Sequence, residues 1–356
     1  MSGAPVRPGG DLPRLTSLRA FAALVVFMYH LNRDTSMGVG GITFLHGYVG
    51  VAFFFVLSGF VLTWSTSHST APSTFWWRRF ARVYPSHFVM LLVALAVPVL
   101  AHPVTKPAVL ANVMLVQSWF PQWDIAFGLN AVSWSLSCEA FFYLLTPFIL
   151  RWTGHRRTRI VATVLLLWSS TMAVTAMVMV AHGLDIYAFT NPLVRSGEFA
   201  IGIVLATLAT RGQLPRLPIW VPTLAVGVVW WFTKGHIHPQ SLTGLAFAIA
   251  FAGVIWAAAT ADLARHGGLL RHRWLVYGGQ ISFCFYLVHE LILLNGRGLW
   301  ALAPGGMVGR VAGSMTALIL CTVAAIGLHH LVERPTQRKL KSWIDRREAT
   351  RRTAAA

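Results

Sequence analysis

The chain has 356 residues, of which 56% are hydrophobic and only 11% are charged. Soluble domains carry about 25% charged residues, so this composition excludes an ordinary soluble protein and predicts an integral membrane protein. The formal net charge of +18 would suggest nucleic acid as a partner of a soluble protein. Here most of the basic residues fall in membrane loops, so we expect no nucleic-acid partner.

Ten apolar stretches are predicted to span the membrane. They cover 15–33, 48–66, 83–101, 132–150, 159–181, 193–210, 217–233, 241–260, 278–295 and 306–331, and most have the length of a spanning helix. If the N-terminus is inside, only Arg33, Lys106, Lys234 and Arg297 fall in outside loops, whereas most of the 29 basic residues lie on inside segments. Cytoplasmic loops are enriched in Lys and Arg. The sequence therefore predicts an all-α, polytopic integral membrane protein of about ten transmembrane helices, with both termini cytoplasmic.

The chain is predicted to form one transmembrane domain over 1–335, followed by a basic cytoplasmic tail over 336–356. Few of the basic residues are Lys, and Ala, Val, Gly and Arg are abundant, which is typical of a GC-rich bacterial genome. We expect a multi-pass protein of the bacterial cytoplasmic membrane. Cys138, Cys284 and Cys321 lie in apolar stretches without the spacing of a disulfide framework or a zinc site, so no metal is expected.

The first predicted span contains two ionisable residues, Arg19 and His30, in an otherwise apolar sequence. Their spacing corresponds to about three helical turns, so both side chains lie on one face, about 16 Å apart along the axis. Ionisable groups inside a membrane span usually face a cavity and mark a functional path. The alternative is a histidine that pairs with a neighbouring helix and an arginine that reaches the headgroups.

The predicted topology places several further ionisable residues in the same half of the bilayer as His30. They are Glu139, Arg195, Glu198, His289, Glu290 and Arg310. A shared polar chamber would explain this clustering, because mutual pairing lowers the cost of burial. Separate ion pairs near the outer headgroups are the alternative, and Arg195 with Glu198, at i and i+3, is the clearest candidate for one.

Basic residues gather at the opposite, inner end of the predicted bundle. Arg78, Arg79 and Arg82 begin the third span among aromatic residues, and Arg19 lies at a similar depth. Guanidinium groups suit phosphate ligands, so these residues predict a cationic mouth for a phosphate-bearing cytoplasmic substrate. Ordinary positive-inside anchoring is the alternative.

Several short motifs, in this order, resemble those of the bacterial membrane acyltransferase-3 family, which includes O-antigen acetylases, nodulation-factor acylases and macrolide acyltransferases. The resemblance covers nearly all of 15–335. It is carried by Arg19 with His30, Ser58–Phe60 (SGF), Arg79 with Arg82 (RxxR), Trp134–Tyr143 (WSLSxExxxY), Arg195–Gly202 (RxxEFxxG), Ser282–His289 (SFxxYLxH) and Glu333–Pro335 (ERP).

The resemblance implies O-acyl transfer, commonly of acetyl, from acyl-CoA to a hydroxyl of a glycan or a polyketide or macrolide natural product. It implies His30 as the catalytic histidine with Glu139 assisting, and Arg19, Arg78, Arg79, Arg82 and Ser58 as the donor site. The remaining residues of the motifs and the predicted chamber are expected to line the substrate site. They are Trp134, Ser135, Ser137, Tyr143, Arg195, Glu198, Tyr286, His289 and Glu290.

A neutral imidazole can accept a hydroxyl proton near neutral pH, and a carboxylate on its other nitrogen would fix the tautomer. The acyl group could be transferred directly, or first be carried by the protein. A transporter with a proton path through Glu139, Glu198 and Glu290 is the alternative from another class, although no inverted repeat is visible. A family member that has lost catalysis and acts as a sensor is a third possibility.

Overall fold

The structure is a computed structural model that describes residues 9–35, 37, 44, 46–97, 104–234, 239–300 and 306–353. Its α-helices are α1 (Pro13–Asp34), α2 (Gly50–Ser65), α3 (Pro72–Ala96), α4 (Lys106–Val113), α5 (Trp123–Ala126), α6 (Trp134–Gly154), α7 (Thr158–Ala181), α8 (Asp185–Thr190), α9 (Pro192–Thr210), α10 (Trp220–Thr233), α11 (Gln240–Leu263), α12 (Arg273–Asn295), α13 (Arg297–Trp300), α14 (Gly306–Leu328) and α15 (Arg334–Thr353). A π-helical turn, His329–Glu333, joins α14 to α15. The described ranges contain no β-strand.

Eight helical segments of the described residues are long and apolar enough to cross a membrane. They are Pro13–Asp34, Gly47–Ser65, Ala131–Gly154, Thr158–Ala181, Pro192–Thr210, Gln240–Leu263, Arg273–Asn295 and Gly306–Arg347. The predicted all-α polytopic membrane fold is thereby confirmed, while the cytoplasmic placement of the termini stays a prediction.

The two other predicted spans correspond to α3 and α10, neither of which meets the same standard of length and composition. The 14 residues of α10 are fewer than the roughly 20 that a spanning helix needs. The 25-residue α3 is long enough, but its first half carries Arg78, Arg79 and Arg82 and is therefore too polar. The predicted end of the third span at residue 101 lies outside the described residues.

The first helix occupies a central position, because α1 packs against both α2 and α12, and α2 packs in turn against α9. The α2–α9 contact is made at two glycines. A β-carbon on Gly59 would overlap the Phe199 carbonyl, and one on Gly202 would overlap the Val56 carbonyl. Small residues allow such a close approach of membrane helices, and here they hold α2 and α9 backbone to backbone.

Replacement of Gly202 by alanine should therefore lower the free energy of unfolding by about 1–3 kcal/mol. The new methyl group meets the backbone of Val56, which cannot move aside as a flexible side chain can. The thermal unfolding temperature of the purified protein in detergent measures the effect. Gly227→Ala is the matched control, since nothing lies within 4 Å of a β-carbon at that position of α10. Equal unfolding temperatures for the two variants would contradict the proposed role of the glycine contact.

Candidate active site

Helix α1 contributes residues to two polar cavities, which we call the His30 cavity and the arginine cavity. The His30 cavity has a volume of about 370 Å³, and its lining includes Tyr29, His30, Arg33, Asp34, Tyr48, Phe127, Trp134, Phe189, Tyr286 and Glu290. The arginine cavity has a volume of about 830 Å³, and its lining includes Arg19, Ser58, Arg79, Arg82, Glu139, Tyr143, His329, Glu333, Arg334 and Gln337. One helix thus carries a cationic site near its start and a histidine site near its end.

The hydrogen bonds around His30 define which of its nitrogens can act as a base. Its Nδ1 lies 3.0 Å from the Val26 carbonyl oxygen and 3.2 Å from Nε2 of His289. Nδ1 of His289 lies 2.8 Å from the Tyr286 carbonyl oxygen. Because a carbonyl only accepts, this network assigns a proton to Nδ1 of both rings and leaves Nε2 of His289 as an acceptor. The lone pair of His30 then resides on Nε2.

The carboxylate nearest to this nitrogen belongs to Glu290, whose Oε1 lies 3.6 Å from Nε2 of His30. The same oxygen lies 3.1 Å from Nη2 of Arg33, and Oε2 accepts a hydrogen bond of 2.9 Å from the Val132 backbone N–H. Glu290 is 2% exposed, and these contacts hold it on two sides. Its negative charge is therefore placed where it would stabilise an imidazolium on His30.

His289 occupies the position that a carboxylate takes in a catalytic triad, since it accepts from the nitrogen of His30 that faces away from Glu290. We expect His289→Ala to lower kcat about 10-fold without raising KM for either substrate. The loss stays moderate because the Val26 carbonyl also accepts from Nδ1. Steady-state kinetics measure it, and His289→Gln, whose amide oxygen can accept the same hydrogen bond, should restore most of kcat. A fall in kcat that glutamine does not restore would contradict this positioning role.

Aromatic side chains form the wall of the His30 cavity next to α6. Trp134 is buried and packs against Phe189, with ring centroids 4.9 Å apart. The Tyr286 hydroxyl donates to the Val132 carbonyl over 2.9 Å, and the Ser135 hydroxyl donates to the Tyr286 oxygen over 3.0 Å. These hydrogen bonds hold the Tyr286 hydroxyl within the protein. The rings of Trp134, Phe189 and Tyr286 therefore present apolar surface to a ligand in the His30 cavity.

The arginine cavity carries more positive than negative charge. Within the described ranges, Arg19, Arg79, Arg82 and Arg334 make no ion pair, and Nε of Arg79 is buried without a hydrogen-bond partner. The two carboxylates of the cavity have partners other than these arginines, since the Tyr143 hydroxyl donates to Glu139 over 2.6 Å. Glu333 lies 2.7 Å from Nδ1 of His329. Unpaired guanidinium groups in a partly buried cavity favour an anionic ligand.

The predicted single chamber is wrong in its extent. The structure brings together His30, His289 and Glu290, but Glu139 lines the arginine cavity and does not line the His30 cavity. The depth of Glu139 along its helix could be predicted, but the side of the helix that it faces could not. Cys138 packs towards the α8–α9 corner, where its thiol contacts the Thr190 carbonyl. Glu139 follows it, rotated by about 100° around the helix, and lines the arginine cavity.

Arg195 and Glu198 form the local ion pair that was the alternative, with Nη2 and Oε2 3.0 Å apart. The Arg195 guanidinium lies over the rings of Phe55 and Phe189, 5.2 and 5.1 Å from their centroids. The pair thus lies behind the aromatic wall and lines neither of the two cavities. Arg310 is exposed at the start of α14 and also lies outside both.

Of the other predicted residues, Trp134 and Tyr286 line the His30 cavity, whereas Arg78, Ser135 and Ser137 line neither cavity. Ser58, Tyr143, Arg19, Arg79 and Arg82 line the arginine cavity. Arg78 is exposed and lies 3.5 Å from Asp345 of α15. Ser137 is fully buried and its hydroxyl has no hydrogen-bond partner in the described part of the chain.

Sequence reasoning missed Arg33 and Asp34 at the end of α1, and His329 in the π-helical turn. The available signal was spacing, because Arg33 and Asp34 follow His30 at i+3 and i+4 and so share its face.

Two clusters combine three possible metal ligands each: His30, Asp34 and Glu290, and Cys284, His329 and Glu333. Hydrogen bonds and ion pairs account for the close contacts in both, and the absence of a metal stays a prediction.

The chain belongs to the acyltransferase domain family, whose model matches residues 12–328. It is 34% identical over 363 aligned positions to Acyltransferase MdmB of Streptomyces mycarofaciens, which covers 92% of each chain. It is 24% identical to the putative peptidoglycan O-acetyltransferase YrhL of Bacillus subtilis, over 91% of this chain and 54% of that one. It is 33% identical to the peptidoglycan O-acetyltransferase OatA of Listeria monocytogenes, over 39% of this chain and 24% of that one.

No solved structure is significantly similar to the chain. The family and these relatives identify an O-acyltransferase embedded in a membrane, and they favour an enzyme over a transporter. The chain spans 92% of MdmB but only about half of YrhL.

Proposed function

We propose that the protein transfers an acyl group, most simply acetyl, from acyl-CoA to a hydroxyl of a glycan or of a polyketide or macrolide natural product. The observation that carries this proposal is the geometry of His30, whose Nδ1 is held by hydrogen bonds and whose Nε2 borders a cavity. A histidine is arranged as a general base when hydrogen bonds fix one ring nitrogen and the other faces a cavity beside a carboxylate.

The arginine cavity supports acyl-CoA as the donor. The nucleotide end of CoA carries several phosphate groups, and the four guanidinium groups of this cavity are free to bind them. Arg19 and His30 lie on one uninterrupted helix, α1, about 16 Å apart along its axis. A donor whose phosphates bind the arginines would extend its arm along α1, so that the thioester approaches His30.

In the reaction, Nε2 of His30 takes the proton of the acceptor hydroxyl while that oxygen attacks the thioester carbonyl carbon. The charge of Glu290 stabilises the imidazolium, and His289 keeps the ring oriented. The tetrahedral intermediate collapses with cleavage of the carbon–sulfur bond, and the imidazolium returns its proton to the leaving CoA sulfur. The products are the O-acyl acceptor and free CoA, and no protein nucleophile is required.

The carboxylate that assists His30 is therefore Glu290 in this proposal, and not Glu139. Glu139 has a different role, because its hydrogen bond with Tyr143 places a negative charge among the arginines of the donor cavity. We assign it to the orientation of those arginines. The membrane in question is proposed to be the bacterial cytoplasmic membrane, as the organisms of the relatives suggest.

The experiment uses membranes from cells that express the protein and matched membranes that lack it, each given radiolabelled acetyl-CoA. Macrolides and peptidoglycan fragments are offered as separate acceptor pools, because relatives include peptidoglycan O-acetyltransferases. We expect label in an ester-linked product only when the protein is present. If acetyl-CoA binds but no pool is labelled, the protein is better explained as a sensor that has lost catalysis. If acetyl-CoA neither binds nor labels an acceptor, the proposal is contradicted.

A further inference from the structure

The last membrane helix does not end at the membrane but turns into α15 through the π-helical turn His329–Glu333. Single π-helical turns within helices occur frequently at functional sites, because they change which residues share a face. Here His329 and Glu333 of the turn line the arginine cavity, and so do Arg334 and Gln337, which follow it. The start of α15 is therefore a wall of that cavity, although it lies beyond residue 328, where the family match ends.

Contacts with α3 hold α15 in this position. Trp343 packs against Trp77, with ring centroids 5.7 Å apart, and Asp345 lies 3.5 Å from Arg78. Ile344 is only 4% exposed, as expected of a residue in a packed interface. The two helices together place Arg334 around the same cavity as Arg79 and Arg82.

Arg334 is free to bind a ligand, because it makes no ion pair or hydrogen bond with the described residues. Glu333, its neighbour, is occupied by His329 and by the Gln337 amide, which donates to it over 2.9 Å. Guanidinium groups that line one cavity repel one another, and a bound anion relieves this repulsion. Phosphate fits this requirement, since its oxygens accept from several guanidinium forks at once.

We propose that α15 forms part of the donor site and that Arg334 binds a phosphate group of the nucleotide end of acyl-CoA. The inference rests on the proposed function and extends the donor site to Arg334, a residue of the Glu333–Pro335 motif at the start of α15. The π-helical turn has a defined purpose on this basis, since it directs Arg334 and Gln337 towards the arginines of α1 and α3. The phosphate of a lipid headgroup offers the same chemistry, and the test separates the two sources.

The test measures binding of CoA and of pantetheine to the full-length protein in phosphatidylcholine nanodiscs. The two ligands share the arm, but pantetheine lacks all phosphates. We expect Arg334→Ala to weaken CoA binding about 10- to 100-fold, the loss of one charge-assisted contact, and to leave pantetheine binding unchanged. Arg338→Ala is the matched control, because Arg338 is an exposed arginine of α15 that does not line the cavity. Arg334→Lys, which keeps the charge but loses the fork, should bind CoA with intermediate affinity.

Each other outcome overturns the inference. Equal weakening with both ligands would assign Arg334 to the structure of the cavity, and unchanged CoA binding would leave a lipid headgroup as its partner. Absence of CoA binding by the wild type would instead contradict the donor assignment on which the inference rests. Failure of the proposed function is thus distinguishable from failure of the α15 assignment.

Discussion

Replacement of His30 by alanine should lower the rate of acyl transfer by about 10²- to 10⁴-fold, the usual contribution of a general base. The loss should appear in kcat, because His30 lies in its own cavity and does not line the arginine cavity. Binding of CoA should remain at the wild-type level. Turnover of labelled acetyl-CoA by the purified protein measures the first quantity, and equilibrium binding measures the second.

The control for this variant is His182→Ala, which removes an exposed histidine that follows α7 and lies outside both cavities. Its turnover should equal that of the wild type. Near-normal turnover by His30→Ala, with the protein folded as judged by size-exclusion chromatography, would show that another group takes the proton. In that case the mechanism centred on α1 would have to be abandoned.

Replacement of Arg79 by alanine should raise KM for acyl-CoA about 10- to 100-fold and change kcat little. Each lost charge-assisted contact with a phosphate accounts for about one to two orders of magnitude in affinity, and the double variant with Arg82→Ala should lose more. Arg79→Lys should recover only part of the affinity, because an ammonium group cannot make the two-pronged contact.

Arg159→Ala provides the comparison, since Arg159 is an exposed arginine near the start of α7 that lines neither cavity. Initial rates at varied acetyl-CoA, with the acceptor saturating, separate the two kinetic constants. If Arg79→Ala lowered kcat and left KM unchanged, the arginines would belong to the reacting centre and the donor would bind elsewhere.

Much of the fold could be predicted, because membrane helices must be long and apolar. Eight of the ten expected spans meet that standard. Arg79 and Arg82 led to the cationic cavity but also made α3 too polar to qualify as a span. The same arginines therefore made the arginine cavity predictable and made α3 hard to recognise as a membrane helix.

For the candidate site, the sequence predicts how deep each residue lies in the bilayer, but not which way its side chain faces. His30, His289 and Glu290 were expected in one half of the bilayer and do lie together, whereas Glu139 was expected beside them and faces the arginines. Helix–helix rotation decides such cases, and it depends on close contacts such as those of Gly59 and Gly202 with the facing backbone. A single sequence carries no measure of that rotation.

The straightness of α1 has a consequence for substrate choice. No proline or glycine occurs between Arg19 and His30, so the helix lacks the usual causes of a kink, and the distance from the donor phosphates to the base is constant. If acyl-CoA binds as proposed, the thioester always arrives at the same level, and additional carbons of a longer acyl chain must continue into the His30 cavity. That cavity holds only about 370 Å³ and must also admit the acceptor. Long acyl groups and bulky acceptors should therefore exclude one another, so that selectivity for one substrate depends on the size of the other.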